Sequence, residues 1–430
     1  MKMNPSTLRI VIIVIITFLV GYYVGLSKIA FDWSNYQPSI QVSSKEPPPS
    51  VQFVDTSRMW AVLAKVEELF YDKSAINPNA MLDAGIQGMV ASLGDPYTLY
   101  LPPVQNTNFK QDLAGQFTGI GAELGMKGKA VVVVAPIDGS PADKAGLKAG
   151  DIIIGINNKS IAGVDLNTIV NEIRGPKGTS VILNITHKDS STPVAMKIVR
   201  NTITVKSLTS WTKKVSDIDG IDTKADGLSK AANDKIIYIR LSEFGDNTAS
   251  EWQALAISIS NQLKTDKSIK GIVFDLRNNP GGYLNDAVAI ISEFVKSGTA
   301  VMQEDSDGKR SAYPVTGTGL LTNVPVIVLI NKGSASAAEI VSGGLRDNHR
   351  AILVGENSFG KGIIEEAFDM GNGAGLHITI AKWLTPNGTW VGNGKDGVGL
   401  TPDYTVQLDP KDPSHDTQLE KAVELLVNNQ

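Results

Sequence analysis

VPVIVLINKGSASAAEI, residues 324–340, changes character at Asn331. Residues 324–330 form a short β-branched apolar run that reads as a strand, the next few are small, and 337–346 carry a helical pattern. Strand, tight connection and helix in succession are the unit of an α/β core. Working outward, the same alternation recurs, with strands expected at 236–241, 271–276 and 351–354 and helices at 249–263 and 285–295. A strand at 377–383 and an amphipathic helix at 417–427 close the pattern, so 205–430 reads as one α/β core without internal repeats.

Upstream the chain divides by composition. Residues 113–204 are rich in Val and Ile, are punctuated by glycine turns and hold one helical stretch at 166–173, which predicts a compact β-rich domain. Residues 56–112 carry apolar positions at helical spacing over 59–70 and 80–93, ended by Gly94-Asp95-Pro96, and predict a helical subdomain. Residues 27–55, with Pro47, Pro48 and Pro49 among serines, read as an extended linker. Residues 10–26 are uncharged and mostly apolar; at about 1.5 Å per residue they reach about 26 Å, close to a hydrocarbon core of about 30 Å. Lys2 and Arg9 precede this run; a signal peptide would also fit it, but there is no clear cleavage site, and an uncleaved membrane anchor is the reading favoured. The nine residues before it then lie in the cytoplasm and the rest of the chain beyond the membrane, on a periplasmic or extracellular side.

Composition narrows the chemistry. A net charge of -4 gives no electrostatic basis for binding nucleic acid. With no cysteine, disulfides, thiolate metal sites and cysteine nucleophiles are excluded together. The histidines, His187, His349, His377 and His415, lie at no ligand spacing, so no metal site is expected.

Three segments at expected strand ends hold the candidate site. The first offers Ser334 and Ser336 at a helix start, where unpaired backbone N–H groups suit a nucleophile and its oxyanion. A lone serine there is more often a plain cap. The second is GENSFGKG, 355–362, in which Lys361 stands between glycines. Free lysine titrates near about 10.4, so a lysine base has to be desolvated, and burial is documented to lower it far enough. The third is DLRNNPGG, 275–282, whose Pro280-Gly281-Gly282 makes a tight turn with amides able to converge on an anion, and whose Arg277 and asparagines suggest a hydrogen-bonded frame.

Within 113–204, the run Phe117-Thr118-Gly119-Ile120-Gly121 followed by AGLKAGDII closely resembles a PDZ domain. The resemblance implies that Gly119, Ile120 and Gly121 receive a terminal carboxylate while an adjacent strand edge pairs with the peptide. Behind it, DLRNNPGG, NKGSASAAEI, FGKG and GVGLTPDYTV are together similar to the tail-specific, C-terminal processing serine peptidases, as is DPYTLYL in the helical region. The family resemblance covers roughly residues 56–430. It implies that Ser336 is the nucleophile and Lys361, twenty-five positions later, the general base. It further implies oxyanion donors at Ala337 and one of Gly281 or Gly282, support from Asp347, protein or peptide substrates held by their C-terminal tails, and no metal or organic cofactor. Arg174 would make a closing contact from the PDZ domain to the core. The fold expected is multidomain, α/β and α+β: membrane helix, helical subdomain, PDZ β-rich domain and α/β peptidase core.

The chain departs from the family at Glu365, where a glutamine usually stands four residues beyond the lysine. A charged carboxylate there would favour protonated lysine and oppose its role as base. Either Glu365 is neutral or bonded elsewhere, or the enzyme works at higher pH, or activity waits on a PDZ ligand. Two other readings compete: a triad using His349 beside Asp347, and a catalytically silent PDZ scaffold that binds C-termini without cutting them.

Overall fold

The computed structural model describes residues 29–32, 39–42, 49–51 and 53–428, apart from 128–129, 138, 165, 188–191, 205, 226, 318, 393–398, 410 and 413. The anchor expected at 10–26 lies outside the described residues, as does most of the linker. Among the described residues no helix is long and apolar enough to cross a membrane.

In chain order, two short strands, Ile29–Asp32 and Ser39–Val42, pair antiparallel within the segment expected to be linker, and helices α1 (Ser57–Leu69) and α2 (Pro78–Ala91) follow. Proline at the start of α2 needs no N–H partner, and the Asn77 side chain accepts the N–H groups of Asn79 and Ala80. Strand β1 (Leu99–Leu101) and helix α3 (Pro103–Leu113) follow. The β-rich region comprises β2 (Gln116–Gly119), β3 (Ala122–Lys127), β4 (Ala130–Pro136), β5 (Ile152–Ile156), α4 (Leu166–Ile173), β6 (Ser180–Thr186), β7 (Pro193–Val199) and β8 (Asn201–Thr204). Its sheet runs β7-β6-β5-β4-β3, and β2 pairs with β8 in a separate ribbon. Alternation in β6 sends Val181, Leu183 and Ile185 into a core shared with Ile169 and Ile173 of α4.

The elements from Leu208 onward that position the site are β9 (Leu208–Lys214), β10 (Lys235–Leu241), α5 (Thr248–Thr265), β11 (Ile269–Asp275), α6 (Leu284–Phe294), β12 (Val326–Ile330), α7 (Ala337–Asp347), β13 (Ala351–Gly355), β14 (Ile363–Asp369), β15 (Gly375–Leu384), β16 (Tyr404–Thr405) and α8 (Thr417–Asn428), with an antiparallel pair, Thr299–Asp305 and Arg310–Pro314, between α6 and β12. The main sheet is ordered β9-β10-β11-β12-β13-β16, with β9 antiparallel and the rest parallel. Every residue of β12 is buried, as a central parallel strand covered on both faces requires. On one face Leu419, Val423 and Leu426 of α8 pack on Val273, Ile327 and Val354. Helices α6 and α7 share the other layer, and they approach closely because a Cβ on Gly344 would fall 2.6 Å from Ile291 Cδ1.

The chain forms two compact units, one from residues up to Asn108 with Ile363–Ala381, the other from Phe109–Gly362 with Lys382 onward. Residues 363–381, within the span read from sequence as the core, cluster in the first unit, where β1 pairs antiparallel with the start of β15. That pairing joins segments more than 270 positions apart, for example Leu101 with Gly375.

Candidate active site

Three neighbouring parallel strands, β11, β12 and β13, end at the same edge, and each runs into one of the three singled-out segments. The carboxyl edge of such a sheet is where α/β proteins bind ligands.

The two serines have different fates. Ser334 is fully buried; its hydroxyl donates to the Leu276 carbonyl at 2.8 Å and accepts the Asn331 N–H at 2.9 Å, while its carbonyl accepts the Phe359 N–H. It ties the three loops together. Ser336 is half-buried at the start of α7, with φ +50° and ψ -116°, a region that costs a non-glycine residue about 1–3 kcal/mol and persists only where the surroundings enforce it. Ala337 opens the helix at its first position, where the N–H has no intrahelical acceptor.

The enforcement comes from Glu339, which is fully buried. Its Oε2 accepts the N–H groups of both Ser336 and Lys361 at 2.9 Å each, and its Oε1 accepts the Ser358 hydroxyl at 2.5 Å and the Gly360 N–H at 2.7 Å. Two such bonds to one oxygen hold the amide nitrogens of residues 336 and 361 within about 6 Å of each other. Burial pushes the Glu339 carboxyl above its usual range, against the pull of the four donors. The sequence reading missed this residue. Its signal was present in Ser336-x-x-Glu339, the spacing at which a glutamate reaches back to the N–H that precedes its helix.

Lys361 is fixed by its main chain from both sides. Besides the bond to Glu339, its carbonyl accepts Trp383 Nε1–H at 2.7 Å, and the Gly362 carbonyl accepts Trp390 Nε1–H at 2.8 Å. Only glycine fits at 362, because a Cβ would overlap the Val391 carbonyl. Glu365 is half-buried on β14, in the other unit.

The Pro280-Gly281-Gly282 turn lies against the serine. A Cβ on Gly281 would fall 2.7 Å from Ser336 Cβ and 3.0 Å from the Ala337 nitrogen, and its φ is +102°. The Gly281 N–H is committed to Asn279 Oδ1 at 2.8 Å, and its carbonyl accepts the Phe244 N–H. Of the two expected donors, Gly282 is the one whose N–H meets no acceptor among the described residues. The frame expected around Arg277 is present: Asn278 and Asn331 exchange side-chain and backbone bonds, and the Asn279 carbonyl accepts the Ala335 N–H.

Asp347 ends α7, 11 residues and about 16 Å from its start. Its carboxylate accepts the Asn387 N–H and braces that loop, so its role is structural. His349 lies two residues further on, where it lines a cavity of about 450 Å³ with Arg350 and Leu425. The helix separates it from Ser336 by its whole length, which removes the Ser-His-Asp reading.

In the β-rich domain the Ile120 carbonyl accepts the Ala142 N–H, and the Gly121 carbonyl accepts the Ile137 N–H and the Ser140 hydroxyl. Planar trans peptides then point the N–H groups of Gly121 and Ala122 the opposite way. β3 forms one edge of its sheet and packs beside α4. Arg174, expected to contact the core, instead pairs with Asp112 at 3.3 Å and stacks over Phe117. The residue after Asp112, Leu113, accepts the Asp246 N–H through its carbonyl.

Residues 235–406 match the model of peptidase family S41, and residues 132–186 match that of a PDZ domain. The chain is 33% identical over 387 residues to the carboxy-terminal processing protease CtpB of Bacillus subtilis, covering 89% of this chain and 75% of that one. It is 37% identical over 330 residues to the carboxy-terminal-processing protease of Bartonella bacilliformis, covering 76% and 70%. Among solved structures, the photosystem II D1 C-terminal processing protease aligns with a TM-score of 0.51 and 28% identity over 86% of this chain and 96% of that one. With a relative this similar over most of both lengths, the chain belongs to the carboxy-terminal processing proteases of peptidase family S41, and is a serine peptidase.

Proposed function

We propose that the protein is an endopeptidase that cleaves proteins near their C-termini with a Ser336–Lys361 dyad, after its PDZ domain has bound the substrate tail. The observation that carries this reading is the single Glu339 oxygen joining the amides of residues 336 and 361. Neutral Lys361 takes the Ser336 proton as the hydroxyl oxygen attacks the scissile carbonyl carbon. The oxyanion is received by the amides of Ala337 and Gly282, at the positive end of α7. Collapse breaks the C–N bond, and the proton on Lys361 passes to the leaving amine. Water then gives its proton to Lys361 as it attacks the acyl-enzyme, which frees the acid and restores Ser336. Lys361 relays the proton in every step.

The decisive experiment incubates the full-length protein with an unstructured protein bearing an apolar C-terminus, either free or amidated, and identifies fragments by mass spectrometry. Cleavage of the free-ended substrate with loss of rate on amidation is expected; binding without cleavage returns the silent scaffold. Gly121→Val separates recognition from chemistry. Its Cβ would fall 2.4 Å from Ser140 Cβ at φ +77°, so the carboxylate loop has to distort. KM is expected to rise on the order of 10-fold, as for loss of about 1.4 kcal/mol of binding. An unchanged KM would remove the loop from substrate binding.

The proposed setting is the outer face of a membrane, with residues 10–26 as tether. Full-length chain should sediment with membranes and resist extraction by high salt, whereas a chain begun after residue 28 should not; equal solubility of the two excludes the tether.

A further inference from the structure

We propose that Asp416 and Gln418, at the start of α8, are positioning residues for the amide-bearing turn 278–282, acting through Arg277. The inference rests on the reading of that turn as half of the oxyanion site. Arg277 is 9% exposed, and its partners account for all five guanidinium N–H groups. Nε bonds Asp275 at 3.0 Å; Nη1 bonds Asp416 Oδ1 at 2.9 Å and Gln418 Oε1 at 3.0 Å; Nη2 bonds Asp275 Oδ2 at 2.7 Å and Asp416 Oδ2 at 2.8 Å. The guanidinium is thus gripped between a carboxylate on β11 and one from the opposite end of the peptidase sequence, 139 positions away.

The grip is itself anchored. The Asp416 N–H donates to the Gly220 carbonyl, its Oδ1 also accepts the Leu419 N–H, and the fully buried Gln418 donates to the Val406 carbonyl. Where α8 docks on the sheet therefore sets where Arg277 stands. From Arg277 the chain enters a conformation that has to be enforced, with Asn278 at φ +57° and both glycines at positive φ before the turn reaches Ser336. Buried ion pairs are a poor source of net stability compared with apolar packing, so five committed bonds at this point serve geometry.

The test compares full-length wild type, Asp416→Asn, Asp416→Glu and Gln418→Met by kcat and KM on a tail-bearing substrate. It also follows the rate at which a fluorophosphonate probe labels Ser336. Asp416→Asn should lower kcat and labelling together by about 10-fold or more, the scale of a sub-ångström displacement at a reacting centre, with KM within twofold. Asp416→Glu should recover part of the loss. Gln418→Met, which keeps volume and removes both an acceptor of Arg277 and the donor to the Val406 carbonyl, should show the same split at about 3-fold even if Asp416→Asn fails to fold. Unchanged kcat and labelling in Gln418→Met, or losses that track thermal destabilisation with KM rising in step, overturn the proposal. Wild type that is never labelled at Ser336 overturns the active-site reading, and this proposal with it.

Discussion

Ser336→Ala is expected to lower kcat by on the order of 10,000-fold or more, because among the described residues no other hydroxyl stands at the mouth of α7 with its backbone held beside that of Lys361. Ser334 offers no substitute, since its hydroxyl is buried and bonded at both ends. The fold should survive, because the change removes one oxygen from a half-buried helix start, a loss of about 0.5–2 kcal/mol if that oxygen caps the helix. Lys361→Ala should cost about 100- to 10,000-fold, the usual range for a positioned base. The double variant should fall no further than Ser336→Ala, as residues acting in one proton transfer do. Kinetics on the tail substrate, with circular dichroism to verify the fold, decide the matter. A double variant much slower than Ser336→Ala would mean that Lys361 acts elsewhere.

Glu339→Gln changes one atom and should cost about 100-fold in kcat. Four donors converge on two oxygens, and an amide has only one oxygen to give them. With its NH2 at the Oε2 position it faces the N–H groups of Ser336 and Lys361; at the Oε1 position it faces Gly360 N–H and a Ser358 hydroxyl whose oxygen already accepts the Leu400 N–H. Each flip leaves buried donors opposed, at about 1–3 kcal/mol apiece. The nucleophile and base should drift apart while the PDZ domain goes on binding tails. The signature is a fall in kcat and in fluorophosphonate labelling with KM unchanged and a lowered melting temperature. Activity within twofold of wild type would mean that the shared carboxylate is dispensable.

The strands and helices of the peptidase core were legible because their signal is local. Residues 326–330 are apolar throughout since both faces are covered, and the small residues before Ala337 mark where the chain has to turn. The segments that carry Ser336 and Lys361, which the structure brings to one sheet edge, were legible through motif and spacing. What binds them was not. A glutamate in the first turn of a helix reads as a favourable charge near the dipole, and only the folded chain brings Ser358, Gly360 and Lys361 onto it. The same holds for Arg277, whose asparagine-rich surroundings announced a frame without naming Asp416. That residues 363–381 cluster with the first unit was not legible, since their apolar pattern is that of any strand pair and nothing local says which neighbour a strand will choose.

The grip of Asp416 on Arg277 also has a consequence in time. The turn that faces Ser336 is synthesised 139 residues before the carboxylate that steadies it. At about 5–20 residues per second, a ribosome takes on the order of ten seconds to cover that distance. During this interval Ser336, Lys361 and Glu339 come to exist in a chain whose turn at 278–282 is still unbraced. On the reading of that turn as half of the oxyanion site, the growing chain should gain its full activity only when α8 has docked and Asp416 has closed on Arg277.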